Sequence, residues 1–281
     1  MNTRIIVDST SDLLPNIKEK VRVVPLTINF GGEEYIDGVT IDHKKFYEKL
    51  VETDVHPTTS QATPAAFEEE YELAKQANEA AVVITLSSKL SGTYQSAMIA
   101  AQEYDNIYVV DGYTVAIGGG ILVELALRYL EEGMSAKEIA ENLEREKHNI
   151  VVVALVDTLE YLKRGGRISK TTAFAGNVLN IKPVLALDNG EIRMIGKARG
   201  SKMGNNLLIQ EIEKVGGVDF TKPVLLGYTG MSDALLKKYI NDSMQLWESE
   251  LDEVRYTTIG SAIGTHAGPG AIAVAFFKSE N

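Results

Sequence analysis

The amino-acid sequence predicts an α/β protein of two domains, and three observations support this fold class. Short apolar, β-branched runs alternate with helical patterns up to about residue 156, which is typical of a parallel sheet covered by helices on both faces. Beyond that point, Asp188-Asn189-Gly190 separates two short apolar runs and predicts an antiparallel hairpin. A chain of 281 residues is also longer than most single compact cores, which favours two domains.

We expect residues 1–158 to form an N-terminal domain with three α/β/α layers around a mainly parallel sheet. Its predicted strands are Arg4–Val7, Val23–Phe30, Ala81–Leu86, Ile107–Asp111 and Ile150–Val156. Its predicted helices are Pro64–Asn78, Gly92–Glu103, Thr114–Glu131 and Ala136–His148. Thr63 is the expected N-cap of the first helix. The three glycines at 118–120 imply a start of the third helix displaced to Gly120, tight packing against a sheet, or room for a ligand tail.

We expect residues 159–281 to form a C-terminal α/β domain with a mixed or antiparallel sheet. Its predicted strands are Pro183–Leu187, Glu191–Gly196, Val224–Tyr228, Glu253–Ile259 and Ala271–Phe277. Its predicted helices lie near Thr171–Leu179, Lys202–Val215 and Asp233–Glu248.

Composition and charge restrict the classes of function. The formal net charge of −11 argues against nucleic-acid binding and against docking on anionic membranes, because both depend on Lys and Arg. No stretch approaches the ~20 consecutive apolar residues that a membrane span requires, and the N-terminal residues lack the apolar core of a signal peptide. We therefore expect a cytoplasmic protein without stable membrane insertion. The chain has no cysteine, its histidine spacing indicates no metal site, and we expect no cofactor.

The segment at 85–96 follows a predicted buried strand and enters a helix. Ligands of open α/β sheets bind outside the carboxyl ends of the strands, where a helix N-terminus offers free N–H groups and a partial positive charge. We expect Ser91 to be the N-cap, Gly92 to let a ligand approach the backbone, and Thr93 to add a hydroxyl. The alternative is that Ser91 only caps its own helix.

A second polar segment, residues 56–64, also precedes a predicted helix. Thr59 and Ser60 are its candidate ligand-binding hydroxyls, and an exposed loop that ends in a helix cap is the alternative. A third candidate is His266, which we place in a glycine-rich loop at 264–270 before the last strand. A histidine there could donate a hydrogen bond to a carboxylate or become protonated beside it, and the alternative is a structural role, which is the more common one for a lone histidine in a loop. Arg167 and Arg199 are the candidate cations, and each could instead be a solvated surface charge.

Taken together, these segments resemble the DegV family of bacterial fatty-acid-binding proteins. In chain order, the matching motifs are Asp8-Ser9-Thr10, Thr59-Ser60-Gln61, Ser91-Gly92-Thr93-Tyr94-Gln95-Ser96-Ala97, Leu159-Glu160-Tyr161-Leu162-Lys163-Arg164-Gly165-Gly166-Arg167-Ile168 and His266-x-Gly-Pro-Gly-Ala. Each motif is weak alone, whereas the ordered set runs through nearly the whole chain and is specific. One departure is that Ala62 and Thr63 stand before Pro64, where the family usually has Pro directly after Thr-Ser-Gln.

The resemblance implies a lipid-binding protein that performs no chemistry alone and has no catalytic residue. It implies an acyl chain in a tunnel of the N-terminal domain and a carboxylate near the domain junction. It assigns the carboxylate to Thr59 or Ser60, to the Ser91-Gly92-Thr93 turn and to His266. Arg167 or Arg199 would lie beside the head group or at a docking face. The partner would be an ATP-using fatty acid kinase that makes an acyl phosphate for phospholipid synthesis.

Two alternatives remain open on the residues alone. One is a serine-dependent esterase or acyl hydrolase in which Ser91 is the nucleophile and His266 the base. Against it, Ser91 lacks the G-x-S-x-G turn, and no acidic residue is clearly placed to orient His266. The other alternative is a phosphate or nucleotide binder that uses the glycine-rich segments.

Overall fold

The computed structural model describes residues 2–168 and 181–279 and has the expected α/β fold class. Within these residues the strands are β1 (Thr3–Asp8), β2 (Arg22–Val24), β3 (Thr27–Phe30), β4 (Glu33–Ile36), β5 (Thr58–Ser60), β6 (Ala80–Thr85), β7 (Ile107–Asp111), β8 (Ile150–Leu155), β9 (Ile181–Asp188), β10 (Glu191–Arg199), β11 (Leu225–Tyr228), β12 (Tyr256–Thr258) and β13 (Ile272–Phe277). The α-helices are α1 (Pro15–Lys18), α2 (His43–Glu52), α3 (Pro64–Gln76), α4 (Thr93–Ala100), α5 (Ile117–Glu131), α6 (Ala136–Glu146), α7 (Glu160–Arg164), α8 (Ser201–Lys214), α9 (Ala234–Asp242) and α10 (Ser261–Ala267). The helix predicted at Thr171–Leu179 lies outside the described residues.

The first sheet is parallel, with the strand order β2-β1-β6-β7. All six residues of β6 are buried, as expected for a strand in the middle of a sheet that is covered on both faces. Thr63 caps α3 as predicted, because its hydroxyl accepts a hydrogen bond from the Ala66 N–H. The carboxyl ends of β1 and β6 lie side by side, so the loops that follow these strands are neighbours.

The second sheet has six strands in the order β10-β9-β8-β13-β11-β12. Only the β11–β12 pair is parallel among the described pairs of this sheet, so the sheet is mixed, as predicted. The predicted hairpin is confirmed: β9 and β10 pair across Asn189 and Gly190, both with positive φ. Strand β8 starts at Ile150, ahead of the predicted boundary at 158, and pairs within this second sheet. The division into 1–158 and 159–281 stays a prediction.

A third sheet, with the order β4-β3-β5, was not predicted. The single strand predicted at Val23–Phe30 is wrong, because the chain leaves the parallel sheet after β2 and β3 pairs elsewhere. Pro25, at the break, has no N–H to donate to a sheet. The polar segment at 56–64 is also more regular than expected, since β5 pairs antiparallel with β3. Thr59 is therefore held on a strand.

Helix α5 packs against the parallel sheet on one side and the six-stranded sheet on the other. Its three glycines explain this close approach. A Cβ on Gly118 would lie 2.7 Å from Cγ2 of Val152, and one on Gly119 would lie 2.7 Å from the Ser11 hydroxyl. The helix begins at Ile117, later than the predicted Thr114 but ahead of Gly120, so the glycines lie inside it and tight packing is the explanation observed. No helix in the described part of the chain is both long enough and apolar enough to cross a membrane.

Candidate functional site

A cavity of about 410 Å³ lies between the parallel sheet and the six-stranded sheet. Its apolar wall comes from both halves of the chain, and typical contributors are Leu26, Leu86, Val152, Leu185, Ile192 and Ala273. Its polar lining includes six of the eight candidate residues, namely Thr59, Ser60, Ser91, Gly92, Arg167 and His266. The fold thus gathers candidates from separate segments around one apolar space, a typical form of small-molecule site.

Thr59 and His266 form a polar contact in the lining of this cavity. The Thr59 hydroxyl lies 2.9 Å from Nε2 of His266, within hydrogen-bonding distance. Ser60, at the next position of β5, also lines the cavity, but among the described residues it is Thr59 that contacts His266. His266 was predicted in a loop; it instead lies in the last turn of α10, and the chain turns away at Gly268, whose φ is +70°. A helix positions a side chain more precisely than a glycine-rich loop.

The environment of His266 favours its neutral form. Burial, followed by the positive charges of Arg167 and His56, lowers the pKa of His266 to about 4. Its Nδ1 atom is buried and has no hydrogen-bond partner among the described residues. Gly165 lies against the same edge of the ring, where a Cβ would be 2.7 Å from Cε1. At neutral pH the site therefore presents a neutral imidazole.

The prediction that Ser91 is the N-cap of α4 is wrong, because the helix begins at Thr93, one residue later than predicted. The N-cap is Gly92, and the Ser91 hydroxyl accepts a hydrogen bond from the Thr93 N–H at 3.3 Å. The Ser91 and Thr93 hydroxyls are 3.0 Å apart. Thr93 is fully buried and does not line the cavity, whereas Ser91 and Gly92 do. Ser91 thus both satisfies the helix start and faces the cavity, so the two interpretations of this residue are compatible.

Gln61 was not selected as a site residue from the sequence, although it lines the cavity. Its Nε2 donates a hydrogen bond to the Ser96 hydroxyl at 2.9 Å. A Cβ on Gly92 would lie 2.8 Å from Cδ of Gln61, so only a glycine leaves room for this amide. The motif Thr59-Ser60-Gln61 was the signal that could have identified it. Thr10, two residues after the end of β1, also lines the cavity without having been selected.

The two candidate arginines occupy different places. Arg167 lines the cavity, and its guanidinium donates to the backbone oxygens of Leu90 at 3.1 Å and Gly165 at 2.6 Å. Arg199 ends β10, is exposed, and is not among the cavity-lining residues. Arg167 is therefore the cation that the fold brings to the site.

The arrangement does not favour the hydrolase alternative. His266 Nε2 contacts Thr59 rather than Ser91, and no acidic side chain in the described ranges bonds its Nδ1. The segment expected to form a glycine-rich loop is largely helix α10, which does not favour a phosphate-binding loop. Within residues 2–168 and 181–279, no cluster of three or more His, Asp or Glu side chains could hold a metal ion.

Comparison with known proteins places the chain among relatives of the same length. A sequence model described as an uncharacterised protein of the DegV family matches residues 2–279. A DegV domain-containing protein of Caldanaerobacter subterraneus subsp. tengcongensis is 37% identical over 278 residues, covering 97% of each chain.

Solved structures agree with this assignment. A structure described as fatty acid binding of a DegV family protein from Thermus thermophilus superposes with a TM-score of 0.88 and 34% identity, covering 99% of this chain and 100% of that one. A stearic acid-binding protein of Eubacterium ventriosum superposes with a TM-score of 0.87 and 26% identity, covering 99% of this chain and 98% of that one. The protein belongs to the DegV family.

Proposed function

We propose that this protein binds one long-chain fatty acid, with the acyl tail in the apolar cavity and the carboxylate at the Thr59–His266 contact. The observation that carries the proposal is an apolar cavity lined by Thr59 and His266, whose side chains lie within hydrogen-bonding distance of each other. The similarity to the Thermus thermophilus and Eubacterium ventriosum proteins, which are described as fatty acid-binding and stearic acid-binding, supports it.

The head group is bound by hydrogen bonds from small side chains. One arrangement has His266 Nε2–H donate to the Thr59 oxygen, which leaves the Thr59 hydroxyl hydrogen for the carboxylate. Ser91 offers a second hydroxyl, and Gly92 lines the cavity beside it. Arg167 adds a positive charge in a chain whose net charge is −11. Hydrogen bonds to an ionised group contribute roughly 1.5–3 kcal/mol each, so these contacts orient the ligand.

The tail supplies most of the affinity. Burial contributes roughly 0.8 kcal/mol per methylene, so about fifteen methylenes offer ~12 kcal/mol before association costs are subtracted. Because β8, β9 and β13 contribute to the cavity wall, we now place the tail between the two sheets rather than inside the N-terminal domain alone. This differs from the location that the family resemblance implied.

The bound fatty acid is then presented to a partner kinase that phosphorylates the carboxylate with ATP. This part of the proposal rests on the family resemblance, and it assigns to the chain itself a role as carrier rather than enzyme. Arg199 is exposed at the end of β10 and is our candidate for contact with that partner.

Solvent extraction of the purified protein, followed by mass spectrometry, tests the binding function. We expect one fatty acid per chain, or uptake of palmitate or oleate by protein from which lipid has been removed. A protein that arrives empty and takes up neither would overturn the proposal. With ATP and a fatty acid kinase, the loaded protein should yield acyl phosphate, whereas the chain alone should yield none and should hydrolyse no p-nitrophenyl ester.

A further inference from the structure

Asp8, the last residue of β1, and Asp12, in the loop that follows, carry two buried carboxyl groups that the proposed function does not use; we call residues 8–12 the β1 loop. Asp8 is fully buried and Asp12 is only 4% exposed. Buried carboxyl groups are costly unless they accept hydrogen bonds, so their partners indicate what they stabilise. Apart from Thr10, those partners lie in two distant segments of the chain, and each segment leads to a residue of the head-group site.

Asp8 holds the segment that leads to Ser91. Its Oδ2 accepts a hydrogen bond from the Leu86 N–H at 2.6 Å, directly after β6. Its Oδ1 accepts from the N–H and the hydroxyl of Thr10 at 2.9 and 2.6 Å. Leu86 and Thr10 both line the cavity, so the Asp8 carboxyl joins two parts of its wall and fixes where the chain towards Ser91 begins.

Asp12 holds the segment that leads to His266. Its Oδ1 accepts a hydrogen bond from the Gly260 N–H at 2.7 Å, and Gly260 is the residue before α10. A Cβ on Gly260 would lie 3.0 Å from this oxygen and 3.1 Å from Nε2 of His43, so the backbone approaches too closely for a side chain. His266 is in the last turn of the same short helix.

Neighbouring contacts make α10 a rigid link between Asp12 and His266. The Tyr47 hydroxyl donates to the backbone oxygen of Ile259 at 2.9 Å, in a buried environment. Gly264, on α10, lies so close to Tyr47 that a Cβ would be 2.5 Å from its hydroxyl oxygen. With its entry fixed and one face tightly packed, a seven-residue helix has little freedom to tilt. A shift at Gly260 would therefore move His266.

We propose that the β1 loop is a positioning element for the carboxylate site, in which Asp12 aligns His266 and Asp8 aligns Ser91. Neither carboxyl group touches the ligand. The inference rests on the proposed fatty-acid binding, and it adds that one loop sets the relative position of the two hydrogen-bonding groups that come from opposite halves of the site.

The test compares oleate with oleyl alcohol, which has the same tail and no carboxylate. Asp12→Ala should weaken oleate binding about 10-fold, as expected for a lost hydrogen-bonding arrangement, and leave oleyl alcohol within about twofold. Asp12→Asn should restore most of the oleate affinity, because its amide oxygen can accept from Gly260. Burial raises the pKa of the Asp12 carboxyl well above its ordinary value, so a neutral amide is a suitable mimic.

Double-mutant cycles distinguish positioning from general destabilisation. Asp12→Ala should lose most of its effect in a His266→Ala background and keep it in a Ser91→Ala background. Asp8→Ala should show the reverse dependence. Ser135→Ala, which removes the N-cap of α6, is the control for a loss of stability without a link to the site.

Each outcome decides between a positioning role of the β1 loop and a general loss of stability. Equal losses for oleate and oleyl alcohol, or full additivity in both backgrounds, would overturn the positioning role. If Asp12→Ala does not fold, the test uses Asp12→Asn instead. A decrease of about twofold in the oleate affinity of this variant, absent when His266→Ala is also present, supports the inference. If the decrease in oleate affinity caused by Asp12→Asn is the same with and without His266→Ala, the positioning role is overturned. A wild-type protein that binds neither compound contradicts the proposed function itself, which is a separate result.

Discussion

The Thr59 hydroxyl and the Nε2 atom of His266 lie 2.9 Å apart although 207 residues separate them in the chain. Thr59 lies on a strand of the small sheet, and His266 lies in the last turn of α10. The contact joins an element from near the start of the chain to one from near its end, directly at the cavity. A ligand carboxylate at this point would be bound by both halves of the protein at once.

Removing the Thr59 hydroxyl should weaken fatty-acid binding without damage to the cavity. Thr59→Val keeps the shape of the side chain and removes the hydrogen bond, so we expect oleate affinity to fall about 5- to 10-fold, or ~1–1.4 kcal/mol. Thr59→Ser keeps the hydroxyl and should bind within about twofold of wild type. Isothermal titration of delipidated protein measures both. Equal losses in the two variants would show that the hydroxyl is not the group that matters.

Gly165 should tolerate no side chain, because it lies against the His266 ring. A Cβ at this position would be 2.7 Å from Cε1 of His266, and the buried ring cannot move freely. We expect Gly165→Ala to reduce oleate affinity at least as much as Thr59→Val and to lower stability by about 1–3 kcal/mol, as overpacking usually does. Gly196→Ala is the matched control, since its Cβ would make an ordinary contact at 3.5 Å with Leu207.

The stability of the ligand-free protein should depend on pH through His266. Its pKa is about 4 in the folded protein and ~6.5 in the unfolded chain, so the unfolded state binds more protons between these values. Stability relative to His266→Gln, which does not titrate, should be constant above pH ~7.5 and decrease as the pH falls through ~6.5 towards ~4. The loss of stability relative to His266→Gln approaches ~3 kcal/mol near pH ~4. Urea unfolding of both proteins from pH ~4.5 to ~8 measures it, and a flat difference would argue against a buried neutral imidazole.

Ala154 should influence the preferred length of the acyl chain. It lines the cavity on β8, between Ala273 of β13 and Leu185 of β9, so a larger side chain there fills space that a tail would occupy. We expect Ala154→Leu to weaken stearate binding about 10-fold or more and to affect decanoate much less, because about three added carbon atoms displace several methylenes. Ala154→Ser, of similar size, is the control. A uniform loss for both acids would mean that the tail does not pass Ala154.

Much of the fold could be predicted because its elements are local. The alternation of buried strands with helices identified the parallel sheet, and Asp188-Asn189-Gly190 identified the β9–β10 hairpin. Prediction failed where pairing is non-local. The strand predicted at Val23–Phe30 divides at Pro25 between two sheets, and β5 forms only because β3 lies beside it. A three-residue strand has no periodicity of its own to detect.

For the candidate site, too, local features could be predicted from the sequence and long-range contacts could not. Its residue types and their order along the chain were enough to select Thr59, Ser91, Arg167 and His266, all of which line one cavity. Sequence could not distinguish Thr59 from Ser60, because both line the cavity and only the packed structure shows that Thr59 contacts His266. It could not distinguish Arg167 from Arg199 either, because only the fold places Arg167 at the cavity.

The sequence by itself therefore determined the α/β class, most of the helices and strands, and the set of residues from which the site is made. The tertiary structure alone decided that Thr59 contacts His266, that the cavity lies between the two sheets, and that the β1 loop contacts both Leu86 and Gly260. The physical reason is the distance along the chain over which each kind of interaction acts. Backbone propensity and hydrophobic periodicity act over a few residues, whereas a hydrogen bond between side chains 207 residues apart leaves no local pattern and exists only once the sheets have packed.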